Sequence, residues 1–411
     1  MEEVMSKSGL NMTLSYFSGF RGPLDIRFKE KWYSALYRLF SFYTDFLIIA
    51  NTITIGVHFL SPSTPLAERC ACGFPMLTSL HSSLRTFYFT FNRPRFAKLM
   101  TDYEKAFKGD PTEERLNAEI KSGADLFRPF PRILLTFMVA PMIPWCFIPL
   151  VSEFLGLPRV LTIPAWFPMD LTQRTFFSTF SFAVATMIQT LGATWVPMRV
   201  IAFDDVFYCY ATRQLALFRH LSRNFEEIFE SSHVSPQGFV TYTFSSGRVA
   251  TKEEVKKEVS RKLRQWIIYH QKTIKLMKEL QSLYSPALFV QFGLLCLILC
   301  FNAFYVALAD VGLIQVIFCA FFVLGNAMEL LVTCRIGDYI VIQSNKLTDG
   351  IAGKDYYLMA KPELAYLRMI MTRCQVPLSM SALGVFPLNT DTFQSIMVSA
   401  YSYFTMLKKL N

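Results

Sequence analysis

The chain has 411 residues, 52% of them hydrophobic and only 18% charged, with a mean hydropathy of +0.31. With 40 Phe and charged residues below the usual quarter, much apolar surface must face something other than water, which excludes an ordinary soluble multidomain protein. The formal charge of +10 does not point to nucleic acid, because the basic residues are threaded between long apolar runs and read as loops facing an anionic membrane leaflet.

Residues 1–31 are polar and mixed in charge, without an apolar stretch followed by a small-residue cleavage site, so no leader is expected and the first span anchors itself; 1–38 reads as a cytoplasmic N-terminus. Windows of about 17 to 25 apolar residues then predict seven spans, at 39–60, 71–92, 133–152, 175–200, 284–309, 311–334 and 392–410. Spans one to four fall within 39–202 and spans five and six within 284–334. Between them, 203–283 reads as a cytoplasmic helical extension and loop. From Glu253 through Leu263, Trp266, His270, Met277 and Leu280, apolar positions recur at three- and four-residue steps, predicting one long helix that runs into span five. Ser231 to Gly247, rich in Ser and Gly, reads as a loop. Asp45 and Glu329 lie near predicted cytoplasmic boundaries, where their carboxylates can snorkel to water. His81, in the middle of span two, is expected to face the bundle interior or a cavity.

Orientation follows from the basic residues. Taking alternate sides of the seven spans, 34 of the 41 Lys and Arg fall on one side and 5 on the other; without the long 204–281 segment the balance is still 21 to 5. The N-terminus is therefore expected inside and the C-terminus outside. The sequon Asn11-Met12-Thr13 would then lie in the cytosol, unmodified.

No motif for catalysis, a phosphate loop or a dinucleotide appears, and the five His, at 58, 81, 220, 233 and 270, show no ligand spacing. No enzyme, cofactor or metal is expected. Cys146, Cys296, Cys300 and Cys319 sit in apolar runs as small hydrophobes, and Cys70-Ala-Cys72 lacks a second cluster.

Residues 335–376 read as cytoplasmic anchor helices, the last an amphipathic helix from Pro362 to Cys374 with Leu364, Leu367, Ile370 and Met371 on one face. Pro377, Gly384 and Pro387 break the chain within 377–411, and Asn389, Thr390 and Asp391 suit the cap of a new helix. Its span, 392–410, is roughly 28 Å long. Thr392, Ser395, Ser399, Ser402 and Thr405 are spaced by three or four along it, flanked by Phe393, Ile396, Met397, Tyr401 and Phe404. Such a stripe suits a wet conduit; equally, the hydroxyls can bond backbone one turn back and hold helices together.

The run Met380-Ser381-Ala382-Leu383-Gly384-Val385-Phe386-Pro387-Leu388-Asn389, then Thr392-Phe393 and the close Ala400-Tyr401-Ser402-Tyr403-Phe404-Thr405-Met406-Leu407, resembles the terminal signature of insect odorant receptors. The resemblance implies an all-α membrane protein of seven transmembrane helices, N-terminus cytoplasmic, with helices extended into the cytosol as an anchor region. It further implies a tetrameric, ligand-gated, non-selective cation channel with one pore helix per subunit, in the plasma membrane of olfactory dendrites. The chain looks like a tuning subunit that joins a shared co-receptor in a heterotetramer, since its segment before span five is shorter than a co-receptor's. By the same resemblance Met406 and Leu410 correspond to the gate, with Ser402 and Tyr403 deeper in the conduit. Lys409 stands where the co-receptor has an uncharged polar residue. Four such ammonium groups would repel cations, which favours hetero-assembly unless Lys408 and Lys409 snorkel into the outer vestibule.

The resemblance also places an odorant cavity among the outer helix halves. Span three carries Pro141, Pro144 and Pro149, which bend it, and Met138, Met142 and Trp145 as one deformable wall. Opposite walls are expected from Leu80, His81 and Leu84 on span two, Thr179, Phe182, Ala183 and Thr186 on span four, and Phe301, Phe304 and Tyr305 on span five. Such a pocket would take neutral, mostly apolar volatiles, with one hydrogen bond from Thr186, Tyr305 or His81. Two rival classes stay open: a seven-helix G-protein-coupled receptor, which has the opposite orientation, and a gustatory-type homomeric channel.

Overall fold

The computed structural model describes residues 19, 31–106, 108–109, 112–127, 129–140, 142–169, 171, 175–229, 232–234, 240–243, 249–250, 252–308, 312–352 and 361–410. The sequon at Asn11 and Pro141 lie outside them, as do the side chains of residues 407–410.

Long runs with three- and four-residue apolar spacing form long helices. In chain order these are α1 (Lys31–Leu60), α2 (Leu66–Lys105), α3 (Glu113–Phe127), α4 (Pro129–Val139), α5 (Met142–Phe154), the 54-residue α6 (Phe176–Phe229), the 57-residue α7 (Lys252–Leu308), α8 (Leu313–Ala352), α9 (Lys361–Cys374) and α10 (Thr390–Leu410). The proline-rich third run breaks into α4 and α5, as its missing backbone donors require. Pro286 lies inside α7 without ending it. Between α6 and α7 the structure places strands β1 (Ser232–Val234), β2 (Val240–Thr243) and β3 (Val249–Ala250) in an antiparallel sheet, where the sequence suggested only a loop. Two to four residues per strand are too few to register as a pattern.

Among the described residues, five helical stretches are long and apolar enough to cross a membrane: Trp32–Leu60, Glu113–Phe154, Phe176–Ile228, Lys256–Ala307 and Gln315–Ile351. The runs at 71–92 and 392–410 are also helical, within α2 and α10, but fall outside this set. In α2 the reason is a buried polar strip, Ser79, His81, Ser82 and Arg85, that faces other helices.

The main core gathers rings from α2, α6 and α7. Tyr284 is enclosed by Phe96, Phe203 and Phe207, with ring centroids 5.4, 5.5 and 4.9 Å away. A second cluster joins the far ends of α6, α7 and α8 to α9 through Leu221, Phe225, Leu263, Trp266, Leu347 and Leu367. There Trp266 Nε1 donates to the Leu221 carbonyl at 2.8 Å. Leu367 and Ile370 are the buried face of α9, with Leu364 and Met371 packed beside them.

Charged groups sit inside the bundle in a way the sequence did not reveal. Arg85 of α2 reaches Asp204 of α6 at 3.1 Å and Glu329 of α8 at 3.2 Å, and Gln291 of α7 donates to Glu329 at 2.8 Å. Arg85, Asp204 and Glu329 are each at most 3% exposed. The expectation that Glu329 snorkels is thus overturned: it is buried because a cation from a distant part of the chain neutralises it. Asp45 likewise pairs with buried Arg199, 2.9 Å away, instead of merely reaching for water.

The C-terminal signature is a hairpin. Strands β4 (Ser381–Ala382) and β5 (Phe386–Pro387) pair antiparallel, and the turn needs positive φ at Leu383 (50°) and Gly384 (72°). Helix α7 latches this hairpin. Gln281 donates to the Ser381 carbonyl at 2.7 Å and accepts from its amide at 3.1 Å, while the Ser285 hydroxyl accepts from Leu383 N at 2.7 Å. Asn389 then caps α10, accepting from Thr392 N at 2.9 Å, and Asp338 of α8 accepts from both the amide and the hydroxyl of Thr390.

Candidate ligand-binding pocket

Helices α2, α6 and α8 run in the same sense away from the end of the bundle that holds the 61–65 turn and residues 155–169. Each presents apolar residues first and polar ones later. On α8 the stripe Phe318, Phe322, Asn326, Glu329 steps by four, four and three; on α2 it runs Phe74, Thr78, His81 towards Arg85; on α6 it runs Ala193, Val196, Val200 towards Asp204. These faces enclose a pocket completed by Asn51 of α1, Met138 of α4, Met142 and Trp145 of α5, and Ile163 of the segment after α5. Its free volume is about 40 Å³. The apolar end is walled by Trp145 and Phe318, whose rings lie 4.0 Å apart, and the deep end is floored by the Arg85 network.

Residues 155–169 pack over the pocket as a lid. Gln189 of α6 donates to the Ile163 carbonyl at 2.7 Å and accepts from its amide at 3.4 Å, Trp166 N donates to the Thr54 carbonyl at 3.0 Å, and Arg159 clasps Glu153 through two hydrogen bonds of 2.8 and 2.9 Å. Buried amides that satisfy backbone in this way are costly to lose, by about 1–3 kcal/mol. Gln189→Leu is therefore expected to lower the thermal midpoint by a few degrees and to make residues 157–169 newly sensitive to limited proteolysis.

Of the expected pocket residues, the structure brings together His81, Met138, Met142 and Trp145. Leu80, Phe301 and Tyr305 pack one layer behind, around Phe74; the Tyr305 ring is 6.0 Å from that of Phe74. Phe304 is half-buried on α7. Thr186 and Phe182 are buried nearer the lid, Phe182 beneath the Arg159 guanidinium and Thr179 accepting a hydrogen bond from it. Leu84 and Ala183 are exposed and turn away from the pocket; the lining residues of α2 centre on Thr78, and Leu84, six residues on, lies about 120° round the helix from it. The sequence reading missed Asn51, Ile163, Asn326 and Glu329, although the α8 stripe is visible as helical spacing.

A separate groove of about 690 Å³ runs outside the pocket between α4, α5 and α8, sharing Trp145 and Phe318 as a common wall.

On α10, Ile396 is buried and Phe393, Met397 and Ala400 pack against the core, while Ser402, Tyr403 and Met406 are exposed. Thr392 leaves the expected hydroxyl stripe: it is buried and donates to the Pro387 carbonyl at 2.7 Å. Ser395, Ser399 and Ser402 each bond the carbonyl four residues back. The backbone of α10 extends to Leu410, but the Lys409 and Leu410 side chains lie outside the described residues.

A predominantly helical bundle with several apolar helices of spanning length around a mostly apolar pocket defines a multi-pass membrane protein. A family model described as 7tm Odorant receptor matches residues 70–401, and the chain belongs to the insect odorant receptor family. It is 20% identical over 359 residues to Putative odorant receptor 92a of Drosophila melanogaster, covering 86% of this chain and 81% of that one. It is 27% identical over 142 residues to Odorant receptor 67c of the same fly, covering 34% and 35%, and 22% identical over 260 residues to Odorant receptor Or1 of Anopheles gambiae, covering 61% of each. The matched stretches thus span about a third and three fifths of those last two relatives. The solved olfactory receptor OR5 of Machilis hrabei, in complex with eugenol, superposes with a TM-score of 0.74 over 100% of this chain and 98% of that one. At 17% identity this is a likeness of fold.

Proposed function

We propose that the chain is a tuning subunit of an odorant-gated, non-selective cation channel that assembles with a co-receptor into a heterotetramer in the plasma membrane. Seven helices cross the bilayer with the N-terminus inside, and α10 of each subunit borders the ion path, with Met406 and Leu410 at the constriction. The observation that carries the reading is the enclosed pocket walled by Met138, Met142, Trp145 and Phe318 in a chain of this family. The structure of OR5 with eugenol bound supports a small organic ligand, and the 34-to-5 excess of Lys and Arg supports the orientation.

Filling the pocket requires movement. One water needs about 10–15 Å³ of such space, so a cavity of about 40 Å³ admits a volatile only when Met138 and Met142 repack, which unbranched thioether chains do readily. Affinity then comes mainly from burial, at roughly 25 cal/mol per Å² of apolar surface. Phe301 and Tyr305 back the pocket from the same helix whose Gln281 and Ser285 hold the hairpin leading into α10, so a shift of α7 reaches the ion path.

The test is coexpression with the family co-receptor under a panel of neutral volatiles. Cation current that needs both subunits and a volatile is the expected result. Protein at the cell surface with no current from any volatile overturns the channel reading, and current from this chain alone overturns the obligate partnership.

A further inference from the structure

We infer that Asn51 and His81 form a hydroxyl-recognition subsite within the pocket, and that the receptor selects odorants bearing an alcohol group over ethers and hydrocarbons of the same shape. The inference rests on the pocket being the odorant site, as proposed above.

Asn51 and His81 are 1% and 4% exposed, come from adjacent helices α1 and α2, and both line the pocket. Asn51 Oδ1 and His81 Nε2 are buried without a hydrogen-bond partner among the described residues. That is unusual, since buried polar atoms are nearly always satisfied. The other polar groups at hand are not part of the subsite: Glu329 Oε1 is held by Arg85 Nη1 and Gln291, Asn326 Nδ2 donates to the Phe322 carbonyl at 2.8 Å, and Arg85, whose Nε and Nη2 are also buried without a partner among the described residues, is not one of the residues lining the pocket. The pocket therefore combines a mostly apolar wall with two open hydrogen-bonding atoms of different kinds.

Their chemistry specifies the ligand group. An amide oxygen only accepts, whereas an imidazole Nε2 carrying its proton donates. One hydroxyl meets both, donating to Asn51 Oδ1 and accepting from His81. An ether oxygen only accepts and leaves Asn51 unpaired; an alkane leaves both unpaired. Sites built to bond a ligand hydroxyl reject analogues that lack it far more strongly than apolar pockets reject size differences. The rest of the ligand lies against Phe74, Val196, Trp145 and Phe318, which distinguish it only by shape.

The experiment compares 1-hexanol, methyl pentyl ether and heptane, which have equal numbers of heavy atoms. It uses the wild-type chain with its co-receptor and the near-isosteric variants Asn51→Leu and His81→Phe. Half-maximal current should need at least about tenfold less hexanol than ether in the wild type. In each variant that ratio should shrink to about twofold or less, with ether potency retained as proof of an intact pocket. Equal wild-type potency of hexanol and ether, or a ratio unchanged in both variants, overturns the inference. Thermal stabilisation of the purified full-length chain by hexanol and by ether gives the same comparison without the channel. Absence of current with hexanol-selective stabilisation defeats the channel reading alone, and stabilisation that is absent or unselective defeats the hydroxyl subsite.

Discussion

Arg85→Met should leave the chain unable to keep its bundle together. The substitution removes the cation between Asp204 and Glu329, which lie 3.1 and 3.2 Å from it. Two carboxylates would remain at the junction of α2, α6 and α8 with no counter-charge and no access to water. Breaking a buried ion pair from one side costs about 3–5 kcal/mol, a large part of the 5–15 kcal/mol that typically separates folded from unfolded chains. The expected result is loss of the monodisperse peak in detergent and of surface labelling. The triple variant Arg85→Met, Asp204→Asn, Glu329→Gln removes all the charges together and should recover most of the stability, since neutral amides can bond one another and Gln291. If Arg85→Met alone keeps the wild-type thermal midpoint, the network does not hold the fold.

Gly337→Ala is expected to give the largest functional loss for the smallest chemical change. A methyl group built at Gly337 would lie 2.0 Å from the Leu388 carbonyl oxygen and 2.8 Å from its carbon. Both are backbone atoms that no rotamer change can clear. Leu388 directly precedes the Asn389 cap, and the residue after Gly337 on α8 is Asp338, which anchors Thr390. The hairpin and the start of α10 must therefore move away from α8 while the remaining helices keep their packing. Overpacking of this kind typically costs about 1–3 kcal/mol, so protein should still reach the cell surface but carry little odorant-evoked current. Gly293→Ala on α7 is the matched control, because nothing lies within 4 Å of the added carbon there. Equal currents from both variants would show that the α8 contact does not position α10.

The long helices were legible because their apolar residues recur every three or four positions for many turns, and tertiary packing uses that same period. The turn after Ser381–Ala382 was not: two-residue strands carry no periodicity, and the signature was recognised by residue identity without its hairpin being foreseen. Part of the pocket was legible for a similar reason. Met138, Met142 and Trp145 share one flexible face, and His81 is a polar ring in an apolar run. Asn51 and Glu329 were missed because their roles depend on partners from other helices. A carboxylate near a helix boundary looks as if it reaches for water until Arg85 is placed beside it. Leu84 and Ala183 failed for a geometric reason, since a helix rotates 100° per residue and only one narrow face meets the cavity.

Pro286 sits beside Ser285, the residue that grips the hairpin, so the attachment point of the last helix coincides with a missing rung in α7: the Ser282 carbonyl has no amide donor one turn on. The segment bearing Phe301 and Tyr305 is thus joined to the segment bearing Trp266 across a point where the helix ladder lacks one backbone hydrogen bond, next to the residue that holds the hairpin.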